Sequence, residues 1–367
     1  MKVLVFKPIL ILLSACILSF LLAMPRLFFY MKEGSAFKFG AWEAMYKKAN
    51  DLTDKLDEYP PTSNAAKRVF RLTMPLAMKL TGKPPAWAIY CFQLGIGFLL
   101  LYLFYLFGKR FFSPTDSLII AATLPFLYYG RSMWVDIYSW FDTFAYFFLF
   151  LGIYFRQNPL KWLCFFAAFW TDERALLAYP VFLLWENRDF IIAGSLKKLL
   201  NRNTFLLMIP VFGYSILRIY LGWMFNMQTP SADASLLTVQ NTISNFTVAN
   251  LSFFEGFWLA IILMVWGFIR AKNHLGLILI FFVLLSQTVV AHMVYDTTRS
   301  GSYWFPLVIL PLYFIKNSPA FSKDFSLIVR VIFWSTFLIP GFYVLGEIQY
   351  LHGMHEEILV FVARNLH

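Results

Sequence analysis

The sequence predicts an all-α fold: a polytopic transmembrane helical bundle of about 11 membrane segments, one short helical hairpin among them, with the N-terminus in the cytoplasm. Three observations lead there. Of 367 residues, 60% are hydrophobic and only 14% are charged, whereas a soluble domain carries about 25% charged residues. Apolar runs of about 20 residues recur along the chain, the length at which a helix rising about 1.5 Å per residue crosses a hydrocarbon core of about 30 Å. Basic residues gather in the short connections between those runs, as they do on the cytoplasmic side of membrane proteins.

The first run, about 8–29, follows Lys2 and Lys7. Leu13-Ser14-Ala15-Cys16 imitates a lipoprotein cleavage site. The apolar run continues past the cysteine, however, where a mature lipoprotein turns polar, so the segment reads as an uncleaved span. Residues 30–86 form a long, polar outer loop. Within it Val69, Leu72, Pro75, Leu76 and Leu80 share roughly one helical face, and Lys67, Arg68 and Arg71 project from the rest. That pattern suits an amphipathic interfacial helix among lipid headgroups; a helix resting on the bundle with no ligand gives the same pattern. Further spans are expected at about 87–107, 114–130 and 138–155, and, beyond a special segment at 161–186, at about 204–224, 253–269, 275–294, 302–315 and 326–346. A Ser/Thr/Asn-rich loop occupies 225–252. No internal repeat and no Gly- or Pro-rich linker divides the chain, so 1–367 reads as a single integral membrane domain.

The special segment contains WTDERALLAYP (170–180), in which Asp172, Glu173 and Arg174 interrupt an otherwise apolar stretch. A charge at a bilayer centre costs roughly 2.5–3.5 kcal/mol. With the N-terminus inside, Lys109, Arg110, Arg156 and Lys161 fall on the cytoplasmic side. Arg188, Lys197, Lys198, Arg202, Arg270, Lys272, Lys316, Lys323 and Arg330 join them only if 161–186 crosses an even number of times. The count therefore predicts a hairpin with the three charges at its outer tip. Each arm is roughly 15 Å of helix, too short to span alone and in need of shelter within the bundle. The alternative is one continuous helix with the charges at mid-bilayer.

With this topology, charged groups from separated segments collect at the outer face. Asp136, near Arg131, precedes Asp142 at the start of the next span; Asp172, Glu173 and Arg174 form the tip; Arg218 sits near the outer end of its span; Asp296 and Arg299 follow His292. Glu33 follows the first span, and Glu43 comes slightly later. The candidate catalytic acids are Glu33, Asp136, Asp142, Asp172 and Glu173, and the candidate substrate-binding residues are Arg174, Arg218, Asp296 and Arg299. Each has a plainer reading: Asp296–Arg299 a local ion pair, Asp136 an exposed loop acid, Asp142 a helix N-cap, Arg218 a snorkelling side chain, and the tip merely solvated. The outer aromatics Trp134, Tyr138, Trp140, Tyr303 and Trp304 would stack on sugars or form an interfacial belt. His352, His355 and Glu356 have helical spacing without an evident complete ligand set, so no protein metal site is predicted. The three cysteines are scattered through apolar runs, implying no disulfide framework. The net charge of +11 is accounted for by the basic connections, so nucleic acid is not an expected partner.

On these residues the chain resembles the GT-C class of membrane glycosyltransferases. Acids follow the first span within a long outer loop; SMWVDIYSWFDTFAYFFLFLGIYFRQ is similar to the region between that class's third and fourth spans; TDERALLAYPVFLLW is similar to its recurring short hairpin. The resemblance covers roughly residues 1–190 in pattern and the remainder in general layout. It implies transfer of a sugar from a polyprenyl-phosphate-linked donor to a glycan or lipid acceptor at the outer or lumenal face; a bacterial cytoplasmic membrane with the site facing outward is the expected location, the sequence leaving bacterium against eukaryote open. Membrane lipid, lipid-linked sugar donor and acceptor are the implied partners. A carboxylate such as Glu33, Asp136 or Asp172 would act as base, and Arg174, Arg218 or Arg299 would clamp the phosphate with paired donors. A divalent cation, Mg2+ or Mn2+, is compatible with such chemistry. The Asp-x-Asp or Glu-x-Asp pair often found in the class's first loop is absent, Glu33 and Glu43 standing alone, which leaves metal dependence and the identity of the base open. Rival readings are a transporter or lipid flippase, which would carry internal repeats and charges near the midplane, a polysaccharide polymerase or ligase, and a non-catalytic assembly protein.

Overall fold

The structure is a computed structural model that describes residues 2–23, 37, 40–61, 63, 65–195, 201–229, 245–294, 296–339, 341–345 and 347–350. Glu33, the His352/His355/Glu356 group and residues 230–244 of the polar loop lie outside these. Most of the described chain is helical. Its strands, β1 (Phe342–Leu345) and β2 (Glu347–Tyr350), pair as one antiparallel hairpin.

Helix α1 (Lys2–Ala23) precedes the long loop, in which α2 (Gly40–Asn50), a 3-10 turn at Ala66–Arg68 and α3 (Thr73–Leu80) form. The helical face expected over 69–80 is buried only in part: Val69 and Pro75 are buried and Leu72 is half-buried, but Leu76 and Leu80 are exposed, and Met74 and Met78 are buried in their place. The chain leaves helical geometry at Arg71–Leu72, which breaks the register linking Val69 to Leu76. Arg68 and Arg71, expected among headgroups, turn inward, and Arg68 donates to Ser139 and to the Tyr138 carbonyl.

Pro85, extended at ψ 153°, starts the 23-residue α4 (Ala86–Gly108). Ser113 caps α5 (Pro114–Thr123), its hydroxyl accepting the Asp116 amide at 3.1 Å with Pro114 in the first turn. After α6 (Tyr128–Val135), α7 (Asp142–Tyr154) and α8 (Asn158–Thr171) run antiparallel. They approach closely at Gly152, where an added Cβ would meet the Phe165 ring at 2.5 Å.

At the end of α8 the backbone becomes extended at Asp172 (φ −154°, ψ 127°). The returning arm, α9 (Arg174–Leu177) and α10 (Tyr179–Glu186), runs back along α8. Phe169 packs on Tyr179 (5.4 Å between centroids), Phe165 on Phe182 (5.5 Å), and Lys161 pairs with Glu186 at 2.5 Å. As the partner number falls along α8 it rises along α10, which is the signature of an antiparallel pair. The segment is a helical hairpin, not one continuous helix.

Then follow α11 (Arg188–Ile192), α12 (Arg202–Leu207), α13 (Ile209–Phe225), α14 (Phe246–Phe254), α15 (Trp258–Arg270), α16 (His274–His292), α17 (Thr297–Gly301), α18 (Pro306–Asn317) and α19 (Phe325–Leu338). By length and composition, four helical stretches among the described residues can cross a membrane: Ala86–Gly108, Arg202–Phe225, Phe246–Arg270 and His274–His292. The last expected span, 326–346, is shorter than read. Its helix ends at Leu338, Ile339 is extended (ψ 127°), and the chain enters β1. Proline at 340 lacks the amide hydrogen that would continue the helix.

The geometry of α7 and α8 gives the bundle two chemically distinct ends. Residues 136–142 and 171–174 meet at one; residues 154–161 and 186–188 meet at the other.

Candidate active site: an acid–arginine network

Two fully buried carboxylates anchor the first of these ends. Asp142 is the first residue of α7, and its side chain does not cap the helix. It accepts hydrogen bonds from the hydroxyls of Tyr128 (3.0 Å) and Tyr303 (2.9 Å), from Arg174 Nη2 (3.5 Å) and from Arg299 Nε. Asp172, at the hairpin tip, accepts from the Arg174 amide (3.0 Å), from Arg174 Nε (2.8 Å) and Nη2 (2.6 Å), and from Arg71 Nη1 (2.9 Å); Arg299 Nη2 lies at 3.5 Å. Two carboxylates and three guanidiniums thus form a continuous set of charge-assisted bonds. The arginines are also held by rings: Arg174 lies 5.1 Å from the Tyr303 centroid and Arg299 4.5 Å from that of Trp140.

Asp296 joins from the segment before α17. It pairs with Arg299 Nη1 at 3.4 Å, so the local i, i+3 pair exists, but within the larger network. The Tyr343 hydroxyl of β1 donates to its other oxygen at 2.7 Å, and the Val344 amide donates to Thr298 at 2.9 Å. The terminal β-hairpin is therefore tied into the site. Burial raises the Asp296 carboxyl above the usual carboxylate range.

Asp136 is 1% exposed, not the exposed loop acid of the plainer reading. Its carboxylate accepts the amides of Tyr138 (3.2 Å), Trp140 (2.9 Å) and Phe141 (2.5 Å). That turn contains two non-glycine residues at positive φ, Ser139 (60°) and Phe141 (63°), a conformation that costs of order 1–3 kcal/mol each. Asp136 thus staples a strained connection that delivers Trp140 and Asp142. Burial, reinforced by the Asp142 charge, pushes its carboxyl up to about 6.

Glu173 differs from the other acids. Its side chain is 33% exposed, and its one ionic neighbour among the described residues is Arg71 Nη2 at 3.6 Å. Arg71 is 12% exposed, and its Nε has no hydrogen-bond partner among the described residues. Arg218 stands at the margin: it lies 4.4 Å from the Phe70 centroid and bonds the Tyr214 hydroxyl and Thr229, without entering the ion network.

Three of the expected outer aromatics, Trp134, Tyr303 and Trp304, are buried in the core. Tyr138 and Trp140 are half-buried and stacked on each other at 4.9 Å. Arg131 is not part of the network. It pairs with Glu255 at 3.7 Å, both buried, where Glu255 (φ 45°) separates α14 from α15.

Sequence reasoning missed Tyr128, Tyr343 and Glu255, and gave Arg71 and Tyr303 other roles, as a headgroup contact and as an outer aromatic. Glu255 was detectable as a lone acid in an apolar run. Tyr128 and Tyr343 carried no signal, because a buried tyrosine and a core aromatic read alike. Among the described residues, no three His, Cys, Asp or Glu side chains group to hold a metal ion. The Asp142 and Asp172 oxygens are already engaged by hydroxyls and guanidiniums, so these residues do not fit a divalent cation.

The arrangement divides the labour. Asp142 and Asp172, with every oxygen facing a donor, suit orientation more than proton abstraction. Glu173 is the acid of this group most open to solvent, with Arg71 beside it. No family model, curated protein or solved structure matches the chain.

Proposed function

We propose that this chain is an integral membrane glycosyltransferase that takes a sugar from a lipid-phosphate donor at the outer face of a bacterial cytoplasmic membrane. The observation that carries the reading is the convergence of Arg71, Asp142, Asp172, Arg174, Asp296 and Arg299, from four separate segments, beside a reachable carboxylate. The resemblance to the GT-C class supplies the reaction type. In this scheme the Glu173 carboxylate takes the proton of the acceptor hydroxyl as that oxygen attacks the anomeric carbon. The bond from that carbon to the phosphate oxygen breaks, and the lipid phosphate leaves carrying the bonding pair. Arg71, beside Glu173 and 12% exposed, receives the phosphate charge, and Arg218 stands nearby to assist. Asp172, Arg174, Asp142 and Arg299 hold that surface rigid, as a preorganised site requires.

The test is product formation from a lipid-linked sugar pool in membranes expressing the protein. Glu173→Gln should lower transfer by about 10²–10⁴-fold, the range of a lost general base, with the melting temperature unchanged. Full transfer by that variant would remove Glu173 from the role of base.

A transporter or lipid flippase is the second reading, favoured by the Arg131–Glu255 pair buried at a break in the long stretch Phe246–Arg270. It predicts that vesicles holding the purified protein move substrate across the bilayer without making a new covalent bond.

A further inference from the structure

The end of the bundle away from the acid–arginine network holds a cavity of about 490 Å³ whose walls bring together the last turn of α4, both sides of the α7–α8 connection, and the starts of α11 and α12. Lys161 and Asp172 lie on the same helix, about 17 Å apart along its axis, so this cavity is separate from the network. Four cations line it: Arg110, Arg156, Lys161 and Arg188. The acid in the lining, Glu186, is neutralised by Lys161 at 2.5 Å. Three guanidiniums remain, none with a carboxylate partner among the described residues.

Two of the three are built in place. Arg188 lies on the rings of Trp185 (4.4 Å), Tyr313 (5.0 Å) and Phe111 (5.3 Å), and its Nη1 donates to the Trp185 carbonyl at 2.9 Å. Its Nε is buried with no hydrogen-bond partner among the described residues. Arg110 is exposed but anchored: it lies 4.3 Å from the Tyr154 centroid and donates to the Tyr154 carbonyl at 2.9 Å. The third, Arg156, is also exposed, and no hydrogen bond, ion pair or ring contact holds it among the described residues. Asn187 bridges Asn201 and Thr204, each at 3.2 Å, which adds neutral polar groups to the wall.

Cations that serve only as topological signals are solvated and interchangeable between lysine and arginine. Guanidiniums fixed on rings around a cavity present forked donors in set directions, the arrangement that recognises phosphate oxygens. The volume falls within the range of about 300–1,000 Å³ usual for small-molecule sites. We infer that this cavity binds a phosphate-bearing anion with at least two negative charges or an anionic lipid headgroup, the phosphate being the recognised group in both. The inference does not depend on the transferase reading.

Arg156 is the residue to change, because it is exposed and makes no hydrogen bond, ion pair or ring contact among the described residues. The full chain is purified in neutral detergent, and its melting is followed with sodium pyrophosphate and with sodium chloride at equal ionic strength. In parallel, the protein is reconstituted in phosphatidylcholine nanodiscs with or without phosphatidylglycerol, and the lipid retained after detergent extraction is counted by native mass spectrometry. Arg156→Gln and Arg156→Lys are compared with the natural chain in both arms. A saturable rise in melting temperature of about 2–4 °C with pyrophosphate, lost in Arg156→Gln and reduced in Arg156→Lys, supports a soluble phosphate ligand. Retained phosphatidylglycerol, lost in Arg156→Gln and without a pyrophosphate effect, supports a lipid headgroup. Equal behaviour of all three proteins in both arms overturns the proposal.

Discussion

Asp142 shows what a single side chain contributes to this molecule. It is fully buried and faces two guanidiniums and two tyrosine hydroxyls. Removing one partner of a buried ion pair leaves the others unpaired in low dielectric, at about 3–5 kcal/mol. Asp142→Asn should therefore destabilise the purified protein by about that amount in thermal or denaturant unfolding, and adding Arg299→Gln should recover part of the loss. A melting temperature equal to that of the natural chain would show that the network is not a structural element. Glu173→Gln is the contrasting case, expected to spare stability because its carboxylate is one-third exposed and loosely paired. The acids of the network were legible in the sequence because a charge in an apolar run stands out. Their division into scaffold and reachable acid was not, since it depends on Arg71, whose neighbours in sequence suggested headgroup contact, and on tyrosines indistinguishable from core. Asp136 shows the same gap: its role comes from three amides and two positive-φ residues that no residue pattern announces.

Elements were most legible where a single physical constraint dominates. The break at Asp172 follows from the cost of charges in an apolar helix, and the hairpin forms there with paired rings on its arms. Where packing decides, the sequence was less informative. The buried side of α3 keeps the expected Pro75 but carries Met74 and Met78 where Leu76 and Leu80 were expected, because the turn at Arg71 shifts the helical phase. The outer loop also contains a buried cation. Lys48 of α2 donates to the carbonyls of Leu52 (2.6 Å) and Asp54 (2.8 Å), closing the chain behind the helix. Burial, opposed by Asp54 and Asp51, lowers its amine from 10.5 to about 8. The folded value lies below the unfolded one, so the associated stability is complete above pH 10.5 and is lost as pH falls through about 8. Relative to Lys48→Met, the natural chain should gain stability between pH 8 and pH 10, by at most roughly 3 kcal/mol. Parallel melting curves of the two proteins across that range would contradict the burial of a titrating amine.

At the scale of the whole molecule, the two ends differ in the chemistry of their charges. One carries acids and arginines bonded to each other; the other carries arginines around a cavity with its single acid already paired. A membrane between them would explain both. The basic end would face the cytoplasm, as the distribution of lysine and arginine between spans suggests, and the mixed end would face outward. Positions 173 and 156 separate the two sides, since both side chains reach solvent and they sit at opposite ends of the hairpin's first arm. Of the natural cysteines, Cys16 and Cys164 are buried and Cys91 is exposed, so Cys91→Ser gives a silent background. In that background, a membrane-impermeant maleimide added to intact cells should label Glu173→Cys and leave Arg156→Cys untouched, and inverted vesicles should reverse the result. A continuous helix at 161–186 would also put these positions at different depths, but it would leave 173 at mid-bilayer and unreactive from either side. External labelling of 173 therefore distinguishes an outward tip from a buried one, and labelling of both positions from the same side would end the topology on which the outward-facing site depends.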